Sequence, residues 1–398
     1  MKVCIVTSTR ADFGLLKGLM HRMNDSSMFD LQVVATGAHL LEQFGATRQD
    51  ILNSGFTVNL EVTELTSATT GSDVADQVGG GIVGFSAGFQ GLGPDVVVLL
   101  GDRYEMLAAA VAAFFLKIPI VHLHGGEVTQ GAFDDAIRHS ITKFAQIHCV
   151  AAKEYAERII RAGEPPESVH VTGGLGVDEI LRTDLLSKNE LEDALGLNLG
   201  WPFFLVTYHP VTAGTHDSSQ EIESLIEALD SFSGATVIFT MPGADPEHQV
   251  IVNRIAEAVS LRAPDWHFVV SLGQQKYLSL VAVASAVVGN SSSGLLEAPT
   301  LKTPTVNIGN RQTGRRMASS VLQADATTAR ITEALRHAVS PQFKAVAAKT
   351  ENPYGGGGAV DRIVKILEET DFSRLGQKIY HDELGQTKVE GHGEPRFG

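Results

Sequence analysis

At residues 121–143 the chain reads V-H-L-H-G-G-E-V-T-Q-G-A-F-D-D-A-I-R-H-S-I-T-K. A short apolar run ends here in two histidines and a pair of glycines, and carboxylates, an arginine and a third histidine follow closely. Such a run predicts a buried parallel strand, and open α/β sheets place their chemistry beyond the carboxyl ends of their strands. We therefore expect the rest of the chain to build a fold that holds this segment at a strand end.

Apolar runs of strand length alternate with segments of helical spacing on both sides of this stretch. Val3–Thr7, Asp95–Leu100 and Phe203–Tyr208 are typical of strands that are buried on both faces. The alternation predicts an α/β fold with two Rossmann-like, doubly wound parallel-sheet domains and a cleft between them. Thr305–Ile308 is expected to be the last strand.

The predicted domain limits are 1–185 for the first sheet and 186–372 for the second. Residues 373–398 are polar and rich in glycine, which is typical of a loosely ordered tail. The sequence leaves open whether the last helix crosses back onto the first domain.

Composition narrows the classes of function. The chain has 398 residues, 43% of them hydrophobic, and a formal net charge of −15. Binding to nucleic acid or to an anionic membrane surface is disfavoured, because both need a basic face. Cys4 and Cys149 lie in apolar runs and are interpreted as reduced thiols, and the start of the chain lacks the apolar segment of a signal peptide. A cytoplasmic protein is expected.

Two turns are candidates for phosphate binding. Ser8-Thr9-Arg10 follows the first strand, where backbone N–H groups and a helix dipole attract anions, although a helix cap with a surface arginine explains it equally well. The second is Asn290-Ser291-Ser292-Ser293-Gly294, which has more hydroxyls than a cap requires. Glu297 follows one turn later and could bind a sugar hydroxyl or face solvent, and Arg311 could add a cation to the same pocket. Neither turn is a G-x-G-x-x-G fingerprint, so the sequence gives no support for a nicotinamide cofactor.

Other polar residues follow buried strands directly. Asp102 and Arg103 follow one such strand, and the aspartate could be catalytic or could cap the next helix. His209 precedes Pro210, which restricts its backbone, and it could be a positioned donor or a structural histidine.

The stretch 121–143 carries the densest set of titratable groups, which suits acid–base catalysis. His124, Glu127 and Asp134 are its candidates for proton transfer. Arg138 lies four residues after Asp134, so an ion pair on one helical face is the structural alternative for these two. The spacing fits no standard zinc pattern, so no metal is expected.

Together these motifs resemble the UDP-N-acetylglucosamine 2-epimerase family, and its hydrolysing branch in particular. The resemblance is collinear from residue 1 to about residue 370. It rests on T-S-T-R-A-D-F-G at 7–14, G-D-R-Y-E at 101–105, H-L-H-G-G-E-V-T-Q-G at 122–131, D-D-A-I-R-H-S-I-T-K at 134–143, Y-H-P-V-T at 208–212, G-N-S-S-S-G-L-L-E at 289–297 and N-I-G-N-R-Q-T-G-R at 307–315.

The resemblance implies a fold like that of type B glycosyltransferases and a nucleotide-sugar substrate. It implies that UDP leaves as the C2 proton is removed, that water then adds, and that the free 2-epimer is released without cofactor or metal. It assigns proton transfer to Asp102, the acidic loop and Asp134, with Arg138 orienting Asp134. It also implies a homodimer. The residues it assigns to UDP binding are Arg10, Arg103, His209, Ser291, Ser292, Glu297 and Arg311.

Two questions stay open at this level. Many family members have a glutamate at the position of His124, so either His124 or Glu127 transfers the proton. The substrate is UDP-N-acetylglucosamine or a UDP- or GDP-linked 2,4-diacetamido-2,4,6-trideoxy sugar, as in sialic- and legionaminic-acid-type biosynthesis. A glycosyltransferase of the same fold is the alternative function.

Overall fold

A computed structural model describes residues 1–42, 47–65, 71–128, 133–210, 218–242, 248–270, 272–375, 378 and 380–381. The chain forms two compact units. The first contains the described residues of 1–127, 133–172 and 360–398, and the second contains Val128 and the described residues of 173–359. The predicted limits at 185 and 372 remain predictions, and this division differs from them by placing 173–185 in the second unit and 360–372 in the first.

The described part of the first unit contains one parallel sheet of seven strands. These are β1 Lys2–Thr7, β2 Asp30–Thr36, β3 Leu60–Val62, β4 Val96–Leu100, β5 Ile120–Leu123, β6 Ile147–Val150 and β7 Val169–Val171. Their order is β3-β2-β1-β4-β5-β6-β7, so the strand order reverses between β1 and β4. The helices between them are α1 Arg10–Asn24, α2 Arg48–Asn53, α3 Gly71–Leu92, α4 Tyr104–Phe115, α5 Phe133–Phe144 and α6 Lys153–Arg161.

Burial explains why the central strands are almost entirely apolar. β4 reads V-V-V-L-L and is buried at every position, as a parallel strand covered on both faces must be. Its last residue, Leu100, pairs with Leu123 at the end of β5. The residues that follow the two strands therefore emerge side by side at one edge of the sheet.

The second unit contains a parallel sheet of six strands within its described ranges. They are β8 Phe203–Thr207, β9 Thr236–Thr240, β10 Trp266–Val269, β11 Ala286–Gly289, β12 Thr305–Ile308 and β13 Val321–Ala324. Their order is β10-β9-β8-β11-β12-β13, which reverses between β8 and β11. Open α/β sheets bind ligands at such reversals. Its helices are α7 Leu175–Arg182, α8 Lys188–Leu195, α9 Ser218–Asp230, α10 His248–Leu261, α11 Gly273–Val283, α12 Ser293–Thr300, α13 Thr328–Ala338 and α14 Pro341–Ala348.

The two predicted parallel sheets are confirmed, but the predicted end of the second sheet is wrong. Thr305–Ile308 is not the last strand, because β13 follows it and pairs with it in parallel. The apolar pattern of the sequence also did not predict β7. Both are short edge strands, Val-His-Val and Val-Leu-Gln-Ala, whose polar residues weaken the apolar signal of a buried strand.

The last helix, α15 at Ala359–Glu369, belongs to the first unit from Val360 onwards. The Nε atom of Arg362 donates to the carbonyl of Thr172 over 2.8 Å. The start of the predicted tail is also anchored there, because Lys378 donates to the buried Glu164 carboxylate at 2.7 Å. Residues 376–377, 379 and 382–398 of the tail lie outside the described residues.

Two general features complete the fold. None of the helices within the described ranges is both long and apolar enough to cross a membrane. Cys4 and Cys149 are buried free thiols, and burial raises the pKa of each to about 12.

Candidate active site

Asp102 lies beyond β4 and forms an ion pair with the Arg138 guanidinium of α5. It does not cap α4, because Arg103 is the N-cap residue of that helix and makes no side-chain cap bond. Burial raises the pKa of Asp102, and the positive charge of Arg138 opposes that rise. The negative charges of Asp134 and Glu127 act in the same direction as burial. A partly buried carboxyl group that is paired with a guanidinium in this way is suited to proton exchange.

Arg138 has partners that the sequence did not predict. Besides Asp102, it donates to the backbone carbonyl of Glu127 at 3.0 Å and lies 3.7 Å from the Asp135 carboxylate. The sequence prediction paired it with Asp134, which is exposed in the first turn of α5. The structure corrects this pairing, because the end of β4 brings Asp102 to the guanidinium and Asp135 lies at i−3 on the same helix.

His124 and Glu127, the two alternatives for proton transfer, are partners. The Nδ1 atom of His124 lies 3.1 Å from Oε1 of Glu127. Both side chains keep about a fifth of their surface exposed, at 21% and 22%. The backbone of His124 is left-handed, with a φ of 59°, and its N–H donates to the carbonyl of Cys149 at 2.9 Å. Residues other than glycine rarely adopt this conformation, and when they do they concentrate at functional sites.

The Ser8-Thr9-Arg10 turn is a helix cap. Thr9 and Asp12 form a capping box at the start of α1. The backbone N–H groups of Ser8 and Thr9 donate to the Asp12 carboxylate at 2.8 and 2.7 Å, so these donors already have an anionic partner. The Arg10 side chain is 69% exposed and lies 3.7 Å from Asp50. The Ser8 and Thr9 N–H groups of the predicted phosphate cradle are therefore occupied, whereas the Arg10 guanidinium is largely exposed.

Arg103, the other predicted cation of this unit, is bound to a neighbouring carboxylate. Its Nε and Nη2 atoms donate to Glu105 at 3.2 and 3.0 Å. The Glu105 side chain is buried, whereas that of Arg103 is 44% exposed. The guanidinium is held in place by this pair and still reaches solvent.

In the second unit, Asn290 joins the ends of β8 and β11. Its Oδ1 atom accepts from the backbone N–H of His209 at 2.7 Å, and its Nδ2 atom donates to the carbonyl of His209 at 2.8 Å. Gly289 permits this approach, because a Cβ atom at that position would lie 2.0 Å from the carbonyl oxygen of Thr207. The sequence motif places Asn290 in the predicted phosphate-binding turn but does not predict this role, which a buried amide directly after a strand indicates.

A pocket of about 420 Å³ opens beside this turn. Four of the predicted nucleotide-binding residues line it, namely His209, Ser291, Ser292 and Glu297. The hydroxyl of Ser292 makes no hydrogen bond to the part of the chain that the structure describes. The lining residues are Thr207, His209, Thr240, Met241, Val269, Val270, Leu272, Gly273, Gln274, Tyr277, Ser291, Ser292, Ser293 and Glu297.

Glu297 lines this pocket, and its side chain is partly buried. Its Oε2 atom is buried and has no hydrogen-bond partner among the described residues, and burial raises the pKa of the carboxyl group. A buried oxygen without a partner is costly unless a ligand supplies a donor. Tyr277, which the sequence analysis missed, donates to the Ser293 hydroxyl at 2.6 Å beside it.

Arg311 reaches the same turn from beyond β12. Its Nη1 atom donates to the carbonyl of Asn290 at 3.3 Å, and the Gln312 side chain donates to the same oxygen at 2.8 Å. The guanidinium therefore lies beside the Asn290–Gly294 turn, and its binding of phosphate remains a prediction. Among the described residues, no group of three His, Cys, Asp or Glu side chains is arranged to hold a metal ion.

Comparison with known proteins shows what this chain resembles. Residues 21–368 match the family described as UDP-N-acetylglucosamine 2-epimerase. The chain is 38% identical to the GDP/UDP-N,N'-diacetylbacillosamine 2-epimerase (hydrolyzing) of Campylobacter jejuni, over 86% of this chain and 88% of that protein. It is 34% identical to the UDP-N,N'-diacetylbacillosamine 2-epimerase (hydrolyzing) of Legionella pneumophila, over 92% of this chain and 95% of that protein.

The fold also matches solved structures. The crystal structure of UDP-GlcNAc 2-epimerase from Neisseria meningitidis bound to UDP-GlcNAc superposes with a TM-score of 0.74. The sequence identity is 20%, and the match covers 93% of this chain and 100% of that one. At this identity the likeness establishes the shared two-sheet fold.

Proposed function

This chain belongs to the UDP-N-acetylglucosamine 2-epimerase family, and we propose from that premise that it is a hydrolysing nucleotide-sugar 2-epimerase. The family predicted from the sequence motifs is confirmed. Both relatives named above carry "hydrolyzing" in their names, at 38% and 34% identity. Those names favour a UDP- or GDP-linked 2,4-diacetamido-2,4,6-trideoxy-glucose over UDP-N-acetylglucosamine as the substrate.

The observation that supports this chemistry best is the grouping of Asp102, paired with Arg138, and the hydrogen-bonded pair His124–Glu127 on one unit. In the proposed elimination, the C2–H and C1–O bonds of the sugar break, a C1=C2 bond forms, and the nucleoside diphosphate leaves. Water then adds its hydroxyl group to C1 as a proton is delivered to C2. Inversion at C2 requires that this proton arrives on the face opposite to the one that was lost, so two acid–base groups are needed.

We assign these two roles to the Asp102 carboxyl group and to the His124–Glu127 pair acting as one unit. A shared hydrogen bond lets the carboxylate stabilise the charge that the imidazole gains when it accepts a proton. Arg138 binds both the Asp102 carboxylate and the backbone carbonyl of Glu127, and so fixes the two residues relative to each other. Asp134, assigned by the family resemblance, remains a predicted proton-transfer residue.

The nucleotide is assigned to the pocket of the second unit. Ser291, Ser292 and the Arg311 guanidinium offer donors for phosphate oxygens, and His209 is held beside them by Asn290. The partnerless carboxylate oxygen of Glu297 suits a sugar hydroxyl. In the first unit, Arg10 and Arg103 remain predicted phosphate ligands.

A substrate panel in D₂O tests the function. UDP-N-acetylglucosamine and the UDP- and GDP-linked diacetamido sugars are each incubated with the protein and followed by NMR. We expect one of them to give free nucleoside diphosphate and a 2-epimer that carries deuterium at C2. A product without deuterium at C2 contradicts elimination, and release only in the presence of an acceptor identifies a glycosyltransferase.

We also propose a cytoplasmic homodimer that supplies a free 2-epimer to sialic- or legionaminic-acid-type biosynthesis. The two buried thiols are typical of a reducing compartment. Light scattering of the purified protein tests the dimer, and a monomeric mass contradicts it.

A further inference from the structure

His122 is a buried histidine that the roles assigned above do not use. It lies in β5 between Leu99 of β4 and His148 of β6, and its side chain has no exposed surface. Its Nε2 atom lies 2.8 Å from the carbonyl oxygen of Gly101, and its Nδ1 atom lies 3.1 Å from Oγ1 of Thr142.

These two contacts fix the protonation of the ring. A carbonyl oxygen only accepts, so Nε2 carries the proton and donates it to Gly101, while Nδ1 accepts from the Thr142 hydroxyl. Burial lowers the pKa of His122 to about 3, so the ring stays neutral. A neutral histidine with both nitrogens occupied has no capacity left to exchange protons with a substrate.

The acceptor of this hydrogen bond is the residue that precedes Asp102. The N–H of Gly101 donates to the carbonyl of Leu123 at 3.0 Å, and its carbonyl accepts from His122. Both polar backbone groups of Gly101 are therefore tied to β5. The peptide that leads into Asp102 has its orientation set by the neighbouring strand, while Arg138 holds the carboxylate end.

Helix α5 reinforces the arrangement, because Arg138 and Thr142 lie one turn apart on it. Arg138 binds the Asp102 side chain, and Thr142 orients the ring that binds the Gly101 carbonyl. Gly125 leaves room for this contact, since a Cβ atom there would lie 3.0 Å from Nδ1 of His122 and 3.2 Å from Oγ1 of Thr142. The first histidine and the first glycine of H-L-H-G-G are thus explained by one hydrogen-bonded unit.

We propose that His122 is a positioning residue, whose Nε2–H bond to the Gly101 carbonyl holds Asp102 in the orientation that proton transfer requires. This inference rests on the proposed function in one respect, because it takes Asp102 to be a proton-transfer group. In this role the His122 ring acts through its hydrogen bond to Gly101 and does not need to carry a charge.

The test compares His122→Leu, which removes the donor, with His122→Gln, which keeps an N–H near the position of Nε2. His148→Leu is the matched control, because it removes a buried histidine from the adjacent strand that binds Glu164 instead. For His122→Leu we expect kcat per folded molecule to fall roughly 10- to 100-fold at unchanged KM and UDP affinity, since misplacement by about 1 Å can cost about 100-fold. His122→Gln should recover most of the rate, and His148→Leu should lose thermal stability while its kcat is kept.

Two results would overturn the proposal: an unchanged kcat per folded molecule in His122→Leu, or His122→Gln as impaired as His122→Leu. If His122→Leu does not fold, Thr142→Val decides, because it removes the hydroxyl that orients the ring and should lower kcat at unchanged KM.

If wild-type protein releases no sugar from any of the three substrates, the proposed function fails and positioning is judged separately. The Asp102 carboxyl group is then titrated by ¹³C NMR, with Asp102→Asn to assign its signal. We expect its pKa to move in Thr142→Val and not in His148→Leu, and an unmoved pKa in Thr142→Val rejects positioning.

Discussion

The Nδ1 atom of His124 lies 3.1 Å from Oε1 of Glu127, so the two residues between which the sequence could not choose form one hydrogen-bonded pair. The two residues are only three positions apart in the chain, and the backbone of His124 is left-handed. A pair held in this way is expected to act as a single base, in which the carboxylate stabilises the charged imidazole.

The first prediction concerns this coupling. His124→Asn and Glu127→Gln should each lower kcat by about 10²- to 10⁴-fold, the usual contribution of a general acid or base. The double variant should lose little more than the worse single variant, because residues that act as a unit are not additive. Steady-state kinetics on all three variants measure this. His139→Asn is the control, since His139 lies on α5 beside Asp135 and outside the pair. Losses that multiply in the double variant would show that the two side chains act independently.

The second prediction concerns the pH dependence set by Asp102. Burial raises the pKa of this carboxyl group, and Arg138 is the largest influence that lowers it. Arg138→Met removes that cation, so the pKa should rise and the limb of the pH–kcat profile that reports Asp102 should move to higher pH. Arg161→Met on the exposed face of α6 is the control and should leave the profile in place. A limb that stays in place or moves to lower pH would contradict the pairing.

The sequence located the ends of β4 and β5 correctly but could not identify the tertiary partners of the side chains that follow them. Buried strands leave an apolar signature, so Asp102, His124 and Glu127 could be placed at one sheet edge from spacing alone. The partner of Arg138 could not be found in this way. Local spacing favoured Asp134 at i−4, whereas the structure brings Asp102 from the end of another strand.

Thr9 and His122 show two further limits of prediction from the sequence. Thr9 with Asp12 three positions later is a capping-box signature that the sequence contained, and it explains why that turn binds its own carboxylate. His122 gave no usable signal, because a histidine inside an apolar strand looks like any satisfied core residue. Its role depends on the Gly101 carbonyl, which only the parallel register of β4 and β5 brings within reach.

The third prediction concerns the pocket of the second unit. Ser292→Ala should weaken UDP binding by about 1.5–3 kcal/mol, the usual worth of a hydrogen bond to a charged group. Isothermal titration calorimetry measures the affinity directly. Ser260→Ala, at an exposed position of α10, is the matched control and should bind UDP as the wild type does. Equal affinities for Ser292→Ala and the wild type would remove Ser292 from the phosphate site.

The fourth prediction concerns the anchor of the C-terminal segment. The Glu164 carboxylate is 1% exposed and accepts from Lys143 at 2.7 Å, from Lys378 at 2.7 Å and from the ring of His148 at 3.0 Å. Burial alone would raise its pKa, but these three donors together hold the pKa down at about 2. A carboxyl group with a depressed folded-state pKa adds stability that is complete above its unfolded pKa. That stability is lost as the pH falls from about 4.3 towards 2.

Lys378→Met should therefore lower the free energy of unfolding at pH 7 by about 1–3 kcal/mol, the cost of leaving a buried acceptor short of a partner. It should also raise the pKa of Glu164 towards its unfolded value, so that less stability is lost as the pH falls below about 4.3 and the loss is complete at a higher pH than in the wild type. Urea unfolding at several pH values between 3 and 7 measures both effects.

Lys365→Met is the control, because Lys365 pairs with Glu369 on the exposed face of α15. In the double variant Lys378→Met/Glu164→Gln, the acid-dependent loss of stability that Glu164 contributes should disappear, since the titrating carboxyl group is gone. Acid sensitivity that persists in the double variant would show that another group carries it.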